Sequence, residues 1–336
     1  MTKIAINGLG RMGKLVLRSL IDEGVEADIV LLNEPVGDAE MNTHLLEFDT
    51  VHGRWLADFA YTDDSITVDG VEMRLTNVWT LAELPLEEMD IDVVIDCSGQ
   101  FKTAAKLQPY FEAGVKKVVI SAPVKEDEAA NIVYGVNHEI YDADSHRIIT
   151  AASCTTNCIA PVVQVVREHL GIKHASFTTI HDVTNTQTIV DRPAKDLRRA
   201  RSALNSLIPT TTGSAKAITQ IFPDLTGRIN GHAVRVPLLN ASLTDIVFEV
   251  EQETTEEEVN ALFEAASQDE LDGILGYEPR PLVSADYTND TRSTIVDALS
   301  TVVTGGTQVK VYAWYDNEMG YAWRLADVTR MVVNSL

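Results

Sequence analysis

The sequence predicts an α/β protein of two domains, the first built on a parallel sheet and the second an α+β domain with a mostly antiparallel sheet. Two observations carry this. In the first half, short continuous apolar runs alternate with helical patterns, which is how strands buried on both faces of a parallel sheet read. In the second half, after one helical pattern, strand-like runs dominate. The length of 336 residues is enough for two cores of ordinary size.

Taken in order, Lys3 to Asn7 reads as a strand, Arg11 to Glu23 as an amphipathic helix and Asp28 to Asn33 as a second strand. Asp92 to Cys97, Lys117 to Ile120 and Arg147 to Thr150 continue the series. A helix is expected from Thr155 through Leu170, with strands at Phe177 to His181, Ala233 to Pro237, Thr244 to Val250 and Val309 to Tyr315. Polar Thr254 to Gln268 reads as a surface helix, and about Asn317 to Ser335 as the last one. The expected division is residues 1–152, completed by a C-terminal helix at 317–336, and residues 153–316. From His181 to Pro209 the chain has little periodicity and many charges. Long ordered loops of this kind are usually functional.

Hydrophobic content of 45% and charged content of 23% are those of a soluble globular protein. No run of about 18 apolar residues is present, so no membrane span is expected. The N-terminus lacks the basic-then-apolar layout of a signal peptide, which makes a cytoplasmic setting the expectation. The net charge of -23, from 27 basic and 50 acidic residues, disfavours nucleic acid and anionic membranes as partners. Three cysteines, Cys97, Cys154 and Cys158, argue against a disulfide framework. The last two are spaced Cys-x3-Cys with no second pair, short of a structural zinc site, and no metal is expected. On so acidic a chain, an anionic substrate requires a local positive patch. Basic residues in loops therefore carry extra information.

Gly8-Leu9-Gly10-Arg11-Met12-Gly13 fits G-x-G-x-x-G, follows the first strand and opens a helix. Glycines let the backbone approach a pyrophosphate, and the helix N-terminus offers free N–H groups to the anion. This makes the first domain a Rossmann dinucleotide-binding domain. Glu34, 21 positions after Gly13 at the end of the second strand, fits the acid that holds the adenosine ribose hydroxyls. Its carboxylate would repel a 2′-phosphate, so NAD is the expected cofactor.

Ala152-Ser153-Cys154-Thr155-Thr156-Asn157-Cys158 places a cysteine among small and hydroxyl residues where a strand gives way to a helix. A helix N-terminus stabilises a thiolate. Cys158, one helical turn later beside Ile159 and Ala160, reads as packed. A thiolate at neutral pH also wants an imidazolium nearby. His181 ends a strand-like run and opens the long loop, which is consistent with that partner and equally with a structural histidine.

Ser153-Cys154-Thr155-Thr156-Asn157-Cys158 resembles the active-site signature of phosphorylating glyceraldehyde-3-phosphate dehydrogenases. The resemblance extends over the whole chain through Ile6-Asn7-Gly8, Ser121-Ala122-Pro123, Gly135-Val136-Asn137-His138, Ile208 to Gly213, Arg235-Val236-Pro237, Gly273 to Tyr277 and Trp314 to Glu318. It implies Cys154 as nucleophile and His181 as base. It implies Thr184, Thr186 and Arg235 at the C3 phosphate of the substrate, and Ser153, Thr155, Arg199, Thr212 and Gly213 at the attacking inorganic anion. It also implies cofactor contacts from the glycine loop with Arg11 and Met12, from Glu34 and Ser121, and from Asn317 to the nicotinamide amide. The partners it implies are glyceraldehyde 3-phosphate, inorganic phosphate or arsenate, and further copies of the chain in a homotetramer. The loop Lys195 to Arg201 would supply local positive potential, with Arg198 read as a solvated surface cation.

Two departures bear on specificity. Glu34 stands where the family pattern has Asp, which also suits a sister erythrose-4-phosphate dehydrogenase, although Thr212-Gly213 favours phosphorolysis. Arg192 before Pro193 raises tolerance of NADP as a hypothesis. A narrower resemblance lies in Asn33-Glu34-Pro35, His52 to Trp55, Leu107 to Phe111, Ala122 to Glu126 and His181 to Thr188. These look like a branch associated with an arsenical efflux permease, implying 1-arseno-3-phosphoglycerate as product and a role in arsenate detoxification. The alternatives are an ordinary glycolytic or gluconeogenic enzyme and a non-catalytic redox-sensing or binding protein.

Overall fold

The computed structural model describes residues 1–124 and 128–336, so Lys125 and Glu126 of the narrower resemblance lie outside the described residues. The chain divides into two compact units. One comprises Met1–Tyr134, His138–Ala152 and Ala322–Leu336; the other comprises Gly135–Asn137 and Ser153–Tyr321.

In the first unit, β1 (Thr2–Asn7), α1 (Arg11–Asp22) and β2 (Ala27–Asn33) form the expected opening. There follow α2 (Ala39–Glu47), a small hairpin of β3 (Phe48–Asp49) and β4 (Gly53–Arg54), and a meander of β5 (Phe59–Tyr61), β6 (Ser65–Val68) and β7 (Val71–Thr76). Then come β8 (Val93–Asp96), α3 (Ala104–Glu112), β9 (Lys117–Ile120), β10 (Ala129–Asn131) and β11 (Ile148–Thr150). Among the described residues these make one nine-stranded sheet in the order β10-β11-β9-β8-β1-β2-β7-β6-β5. Pairing is parallel from β10 through to β7 and antiparallel at the β6 and β5 edge. This is the parallel-dominated α/β sheet that the sequence predicts. The meander lies outside the predicted strands, although the alternation from Val71 to Thr76 is a strand signal; β5, short and mostly exposed, gives little.

The central strands are apolar throughout because both faces are covered: Ile4, Ile6, Leu31, Leu32, Val93 and Val94 are all fully buried. Helix α1 turns Leu15, Val16, Leu17 and Leu20 inward. Gly13 permits this approach, since a Cβ there would lie 1.9 Å from the Gly8 carbonyl oxygen. Beneath the first turn, the C-terminal ends of four strands are tied together by buried polar groups. Asn33 donates to Asn7 at 2.8 Å, Asn7 donates to the Tyr110 hydroxyl at 2.6 Å, and that hydroxyl donates to Asp96 at 2.8 Å. Asn33 in turn accepts from Val78 N–H and Thr76 Oγ1. Burial raises the Asp96 pKa even though Ser98, Tyr110 and Asn7 donate to its carboxyl.

In the second unit, α4 (Cys154–His169) precedes the long strand β12 (Ile172–His181). After the loop come β13 (Ile208–Thr211), α5 (Ser214–Ile221), β14 (Ile229–Arg235), β15 (Ser242–Val250), α6 (Glu256–Gln268), β16 (Leu275–Glu278), β17 (Thr294–Asp297), β18 (Val302–Thr304) and β19 (Gln308–Tyr315). The sheet runs β13-β14-β12-β15-β19-β17-β16, with β18 also on β19. Most pairs are antiparallel; β12 with β14 and β16 with β17 are parallel. Helix α6 starts at Glu256, two residues later than expected, because Thr255 and Glu258 form a reciprocal capping box.

The closing helix α7 (Met319–Val333) begins two residues after Asn317. The division between the units falls inside it, at Ala322. Its first turn belongs to the second unit because Gly320 packs on the Arg292 carbonyl, where a Cβ would sit at 2.6 Å. No helix among the described residues is long and apolar enough to cross a membrane.

Tyr110→Phe would strip Asp96 and Asn7 of one buried partner. A loss of about 1–3 kcal/mol is expected, which lowers the unfolding temperature by about 2–4 °C per kcal/mol for a unit of this size. Differential scanning calorimetry checks this; an unchanged transition would show that the network is not needed.

Candidate active site

The thiol site is built where α4 begins. Ala152 takes a left-handed conformation (φ 52°) that costs about 1–2 kcal/mol for a residue with a Cβ. Ser153 then caps the helix, its hydroxyl oxygen accepting from Thr156 N–H at 3.3 Å. Cys154 is therefore the first residue of a 16-residue helix, with its sulfur at the positive end of the helix dipole. Thr155 is buried, and its hydroxyl lies 3.0 Å from the Tyr315 hydroxyl.

His181 arrives from β12. Its Nε2 is 3.7 Å from Cys154 Sγ. Parallel pairing of β12 with β14 sets His181 beside Arg235, whose Nη1 lies 2.5 Å from His181 Nδ1. The Tyr315 ring meets the imidazole edge-on at 6.1 Å between centroids. Burial opposes ionisation of Cys154, but the hydrogen bond and the charge of His181 outweigh it, and the thiol is held below its ordinary range. Burial also opposes the imidazolium. Contacts with Asp182 and Cys154 overcome this and raise His181 to about 9. Each group therefore favours the charged form of the other, the imidazolium lowering the thiol and the thiolate raising the imidazole. Cys158 is the opposite case. It is fully buried, contacts Thr294 and Thr244 hydroxyls at 3.5 and 3.7 Å, and has its pKa pushed by burial to about 12.

Of the other expected anion ligands in this unit, Thr184 and Thr186 touch through their hydroxyls at 2.9 Å, and Arg199 Nη1 donates to Thr186 at 3.4 Å. Arg235 keeps a buried Nε with no hydrogen-bond partner among the described residues. Thr212 turns its hydroxyl to Ser214, accepting from Ser214 N–H, while Gly213 stands at the N-cap of α5 with open space where a Cβ would be. Arg198 is exposed and donates to the Pro209 carbonyl at 3.2 Å, so it fastens the loop to β13. Asn317 is buried and accepts from Ser242 Oγ at 3.4 Å. Two groups at the thiol site escaped the sequence reading. Asp182 gives no signal beyond its place after His181, and Tyr315 reads as an ordinary inward strand residue.

In the first unit, Gly8 adopts φ 94°, and a Cβ there would strike Ser98 N at 2.7 Å. Gly10 has open space around it and leaves the start of α1 without a side-chain cap. A cavity of about 190 Å³ opens here, lined by Gly8, Gly10, Glu34, Val36, Trp79 and Phe101 among others. Glu34 accepts from Leu9 N–H at 2.8 Å and Val36 N–H at 3.2 Å, so its carboxylate is fixed at the rim. Uncapped N–H groups, a glycine cradle and an oriented carboxylate are the fit a dinucleotide requires. Arg11 pairs with Asp49. Met12 is half-buried, and Ser121 donates its N–H to the Asp96 carbonyl at 2.9 Å.

A dinucleotide-binding fold and a thiol lowered by an adjacent imidazole are together the equipment of a thiol-dependent oxidoreductase. Comparison with known proteins agrees. Residues 2–104 match the NAD binding domain of glyceraldehyde 3-phosphate dehydrogenase, and residues 153–317 match its C-terminal domain. The chain is 56% identical to glyceraldehyde-3-phosphate dehydrogenase 3 of Nostoc sp. (strain PCC 7120), over 99% of each chain. It is 48% identical to glyceraldehyde-3-phosphate dehydrogenase 1 of Bacillus cereus, over 98% of this chain and 97% of that one. It is 45% identical to the Geobacillus stearothermophilus enzyme, over 99% and 98%. The chain belongs to the glyceraldehyde-3-phosphate dehydrogenase family, and its N-terminal region is that family's NAD-binding domain.

His181→Asn removes the positive partner and leaves burial to act on the thiol. The apparent pKa of Cys154 should rise by about 1–3 units. The pH dependence of iodoacetamide alkylation at Cys154 reads this directly, and a wild-type profile in the variant would exclude the pairing.

Proposed function

We propose that the chain oxidises glyceraldehyde 3-phosphate through a thioester on Cys154 and releases it to inorganic phosphate as an acyl phosphate. The observation that carries this is the 3.7 Å contact of Cys154 with His181 at the head of α4, in a member of this family. The thiolate sulfur adds to the aldehyde carbon, the carbonyl π pair moves to oxygen, and the His181 imidazolium gives its Nε2 proton to that oxygen, leaving a hemithioacetal and a neutral imidazole. Bound NAD supplies the hydride acceptor. As hydride leaves the carbon, His181 Nε2 takes the hydroxyl proton, and the carbon becomes the thioester carbonyl. An oxygen of phosphate then attacks that carbonyl, and the Cys154 thiolate leaves.

Arg235, with its unsatisfied Nε, and Thr184 suit the C3 phosphate. Thr186 accepts from Arg199, which leaves its own assignment to the substrate phosphate or to the attacking anion open. Ser153, Thr155, Arg199, Thr212 and Gly213 are proposed for the attacking anion. Gly10, Arg11, Met12, Glu34 and Ser121 are proposed for the cofactor, with Asn317 for its nicotinamide amide. Neutralising and orienting the nucleophilic anion is the chief contribution of such donors.

Phosphate is the anion that membership of this family supports. The arsenate role expected from the narrower resemblance, and the link to an efflux permease, have no support in the geometry. Arsenate is also a tetrahedral oxyanion, and the same donors serve either. An ordinary glycolytic or gluconeogenic enzyme is thus the better-supported reading. The intact Thr212-Gly213 supports phosphorolysis over the hydrolysis of the erythrose-4-phosphate group. A lowered thiol pKa suits either role, but His181, both sets of anion ligands and the cofactor fingerprint together support catalysis over a redox-sensing role. A cytoplasmic homotetramer is part of the proposal. Ile189, Val190, Leu197, Leu204 and Leu207 stand exposed on the loop after β12 and offer apolar surface for contacts between copies.

NADH absorbance should rise on mixing the protein with glyceraldehyde 3-phosphate, NAD and phosphate, and Cys154→Ser should lower kcat by a factor on the order of 10³ or more. Turnover in the variant close to wild type would refute the thioester route. The same assay with arsenate, beside the arsenate tolerance of a deletion strain, tests the detoxification reading.

For the cofactor, Glu34 is expected to favour NAD over NADP. Glu34→Ala should narrow the ratio of kcat/KM values by about tenfold or more. Comparable wild-type values for the two cofactors would instead support the NADP tolerance suggested by Arg192.

A further inference from the structure

Asp182 is the first residue after β12, at the point where the chain leaves the sheet. Its side chain does not turn to solvent; the residue is 0% exposed. One carboxyl oxygen, Oδ1, lies 2.9 Å from His181 Nδ1 and accepts from Ser242 Oγ at 3.2 Å. The backbone N–H of Asp182 donates to the same Ser242 oxygen at 3.2 Å. Oδ2 is buried with no hydrogen-bond partner among the described residues. Burial raises the pKa of this carboxyl, and a nearby positive charge is what favours its ionised form.

The groups facing His181 show where that charge resides. Cys154 meets Nε2 from the head of α4, and the Tyr315 ring packs edge-on from β19. Around Nδ1 stand two acceptors and one donor: Asp182 Oδ1 at 2.9 Å, the Asp182 carbonyl at 2.9 Å, and Arg235 Nη1 at 2.5 Å from β14. Arg235 also donates to the Asp182 carbonyl at 3.0 Å. Glu318 adds negative charge near Asp182, and Arg199 adds positive charge near Arg235. With no carboxylate, only the Asp182 backbone carbonyl would remain to accept from Nδ1, and Arg235 Nη1 at 2.5 Å would disfavour the imidazolium. With Asp182 present, a proton on Nδ1 finds two oxygens.

We infer that Asp182 is a positioning residue for the proposed reaction: it holds a proton on His181 Nδ1, aims Nε2 at Cys154 and strengthens the imidazole as a base. The Cys154–His181 pair is thereby extended into a buried line of thiol, imidazole and carboxylate. The upward shift of His181, in which Asp182 is the largest contribution opposing burial, agrees with this placement. When His181 takes the hydroxyl proton, the new positive charge is met by Asp182, and no proton needs to move to the carboxylate.

The inference rests on His181 being the base, and the experiment separates the two claims. Single-turnover NADH formation is followed against pH in wild type, His181→Asn, Asp182→Asn and Asp182→Ser, with circular dichroism checking that each is folded. Asp182→Asn is expected to lower the maximal rate by about tenfold or more. It should also move the acidic limb of the profile down by about 1–3 units, because a nearby negative charge is lost. KM for glyceraldehyde 3-phosphate should change by less than about threefold. Asp182→Glu should recover part of both effects. Asp182→Ser, which can still pair with Ser242, should show the same shift and stands in if the amide variant does not fold. If His181→Asn keeps the wild-type rate, the proposed base is wrong. If His181→Asn is inactive while both Asp182 variants keep the wild-type profile, or merely slow without a shift, only the inference about Asp182 is overturned.

Discussion

Cys154 and His181 are two groups that burial would each keep neutral, placed so that ionising one stabilises ionising the other. At 3.7 Å in a site with little solvent, the attraction is far stronger than it would be in water. The rest of the second unit serves to hold that contact. Ser153 starts the helix so that sulfur faces its positive end, the left-handed turn at Ala152 aims it, and β12 carries the imidazole to it. The parallel pairing of β12 with β14 delivers Arg235 to the other side of the ring, and the charge balance there is completed by Asp182.

The first unit solves a different problem with hydrogen bonds. A pyrophosphate needs bare N–H groups and close backbone approach, which leaves the strand ends under the glycine loop short of side chains. The Asn33, Asn7, Tyr110 and Asp96 network fills that gap and keeps the loop in place. Glu34 is then fixed by Leu9 and Val36 N–H groups rather than by packing. Its carboxylate is presented in one orientation before any ribose arrives.

The strong acidity of the chain, with a net charge of -23, does not carry through to the thiol site. Several loop cations are already neutralised by loop acids: Arg201 pairs with Asp191 at 2.6 Å, and Arg199 lies 3.9 Å from Asp196. Arg235 differs in being half-buried with an idle Nε, and burial lowers its pKa. Desolvated donors of this kind attract an anion more strongly than exposed lysines, which is how an acidic protein can still receive phosphate groups.

Much of this was legible in the residues. Apolar runs located β1, β2, β8 and β9, because strands covered on both faces have no reason to alternate. The Gly8 to Gly13 spacing located a tight strand-to-helix turn, since glycine suits the φ of residue 8 and avoids the clash at residue 13. The Ser153-Cys154 step marked the thiol, because a cap and a small-residue turn are local features. Of the meander, the three mostly exposed residues of the edge strand β5 carry little periodic signal, whereas the alternation along β7 does carry one. What the tertiary structure alone decided is charge. His181 could be read as structural or catalytic, and Asp182 as a loop acid, until strand register set one against Cys154 and Arg235 and folded the other out of solvent. Sequence determines which groups can ionise; only their distances and burial determine which of them do.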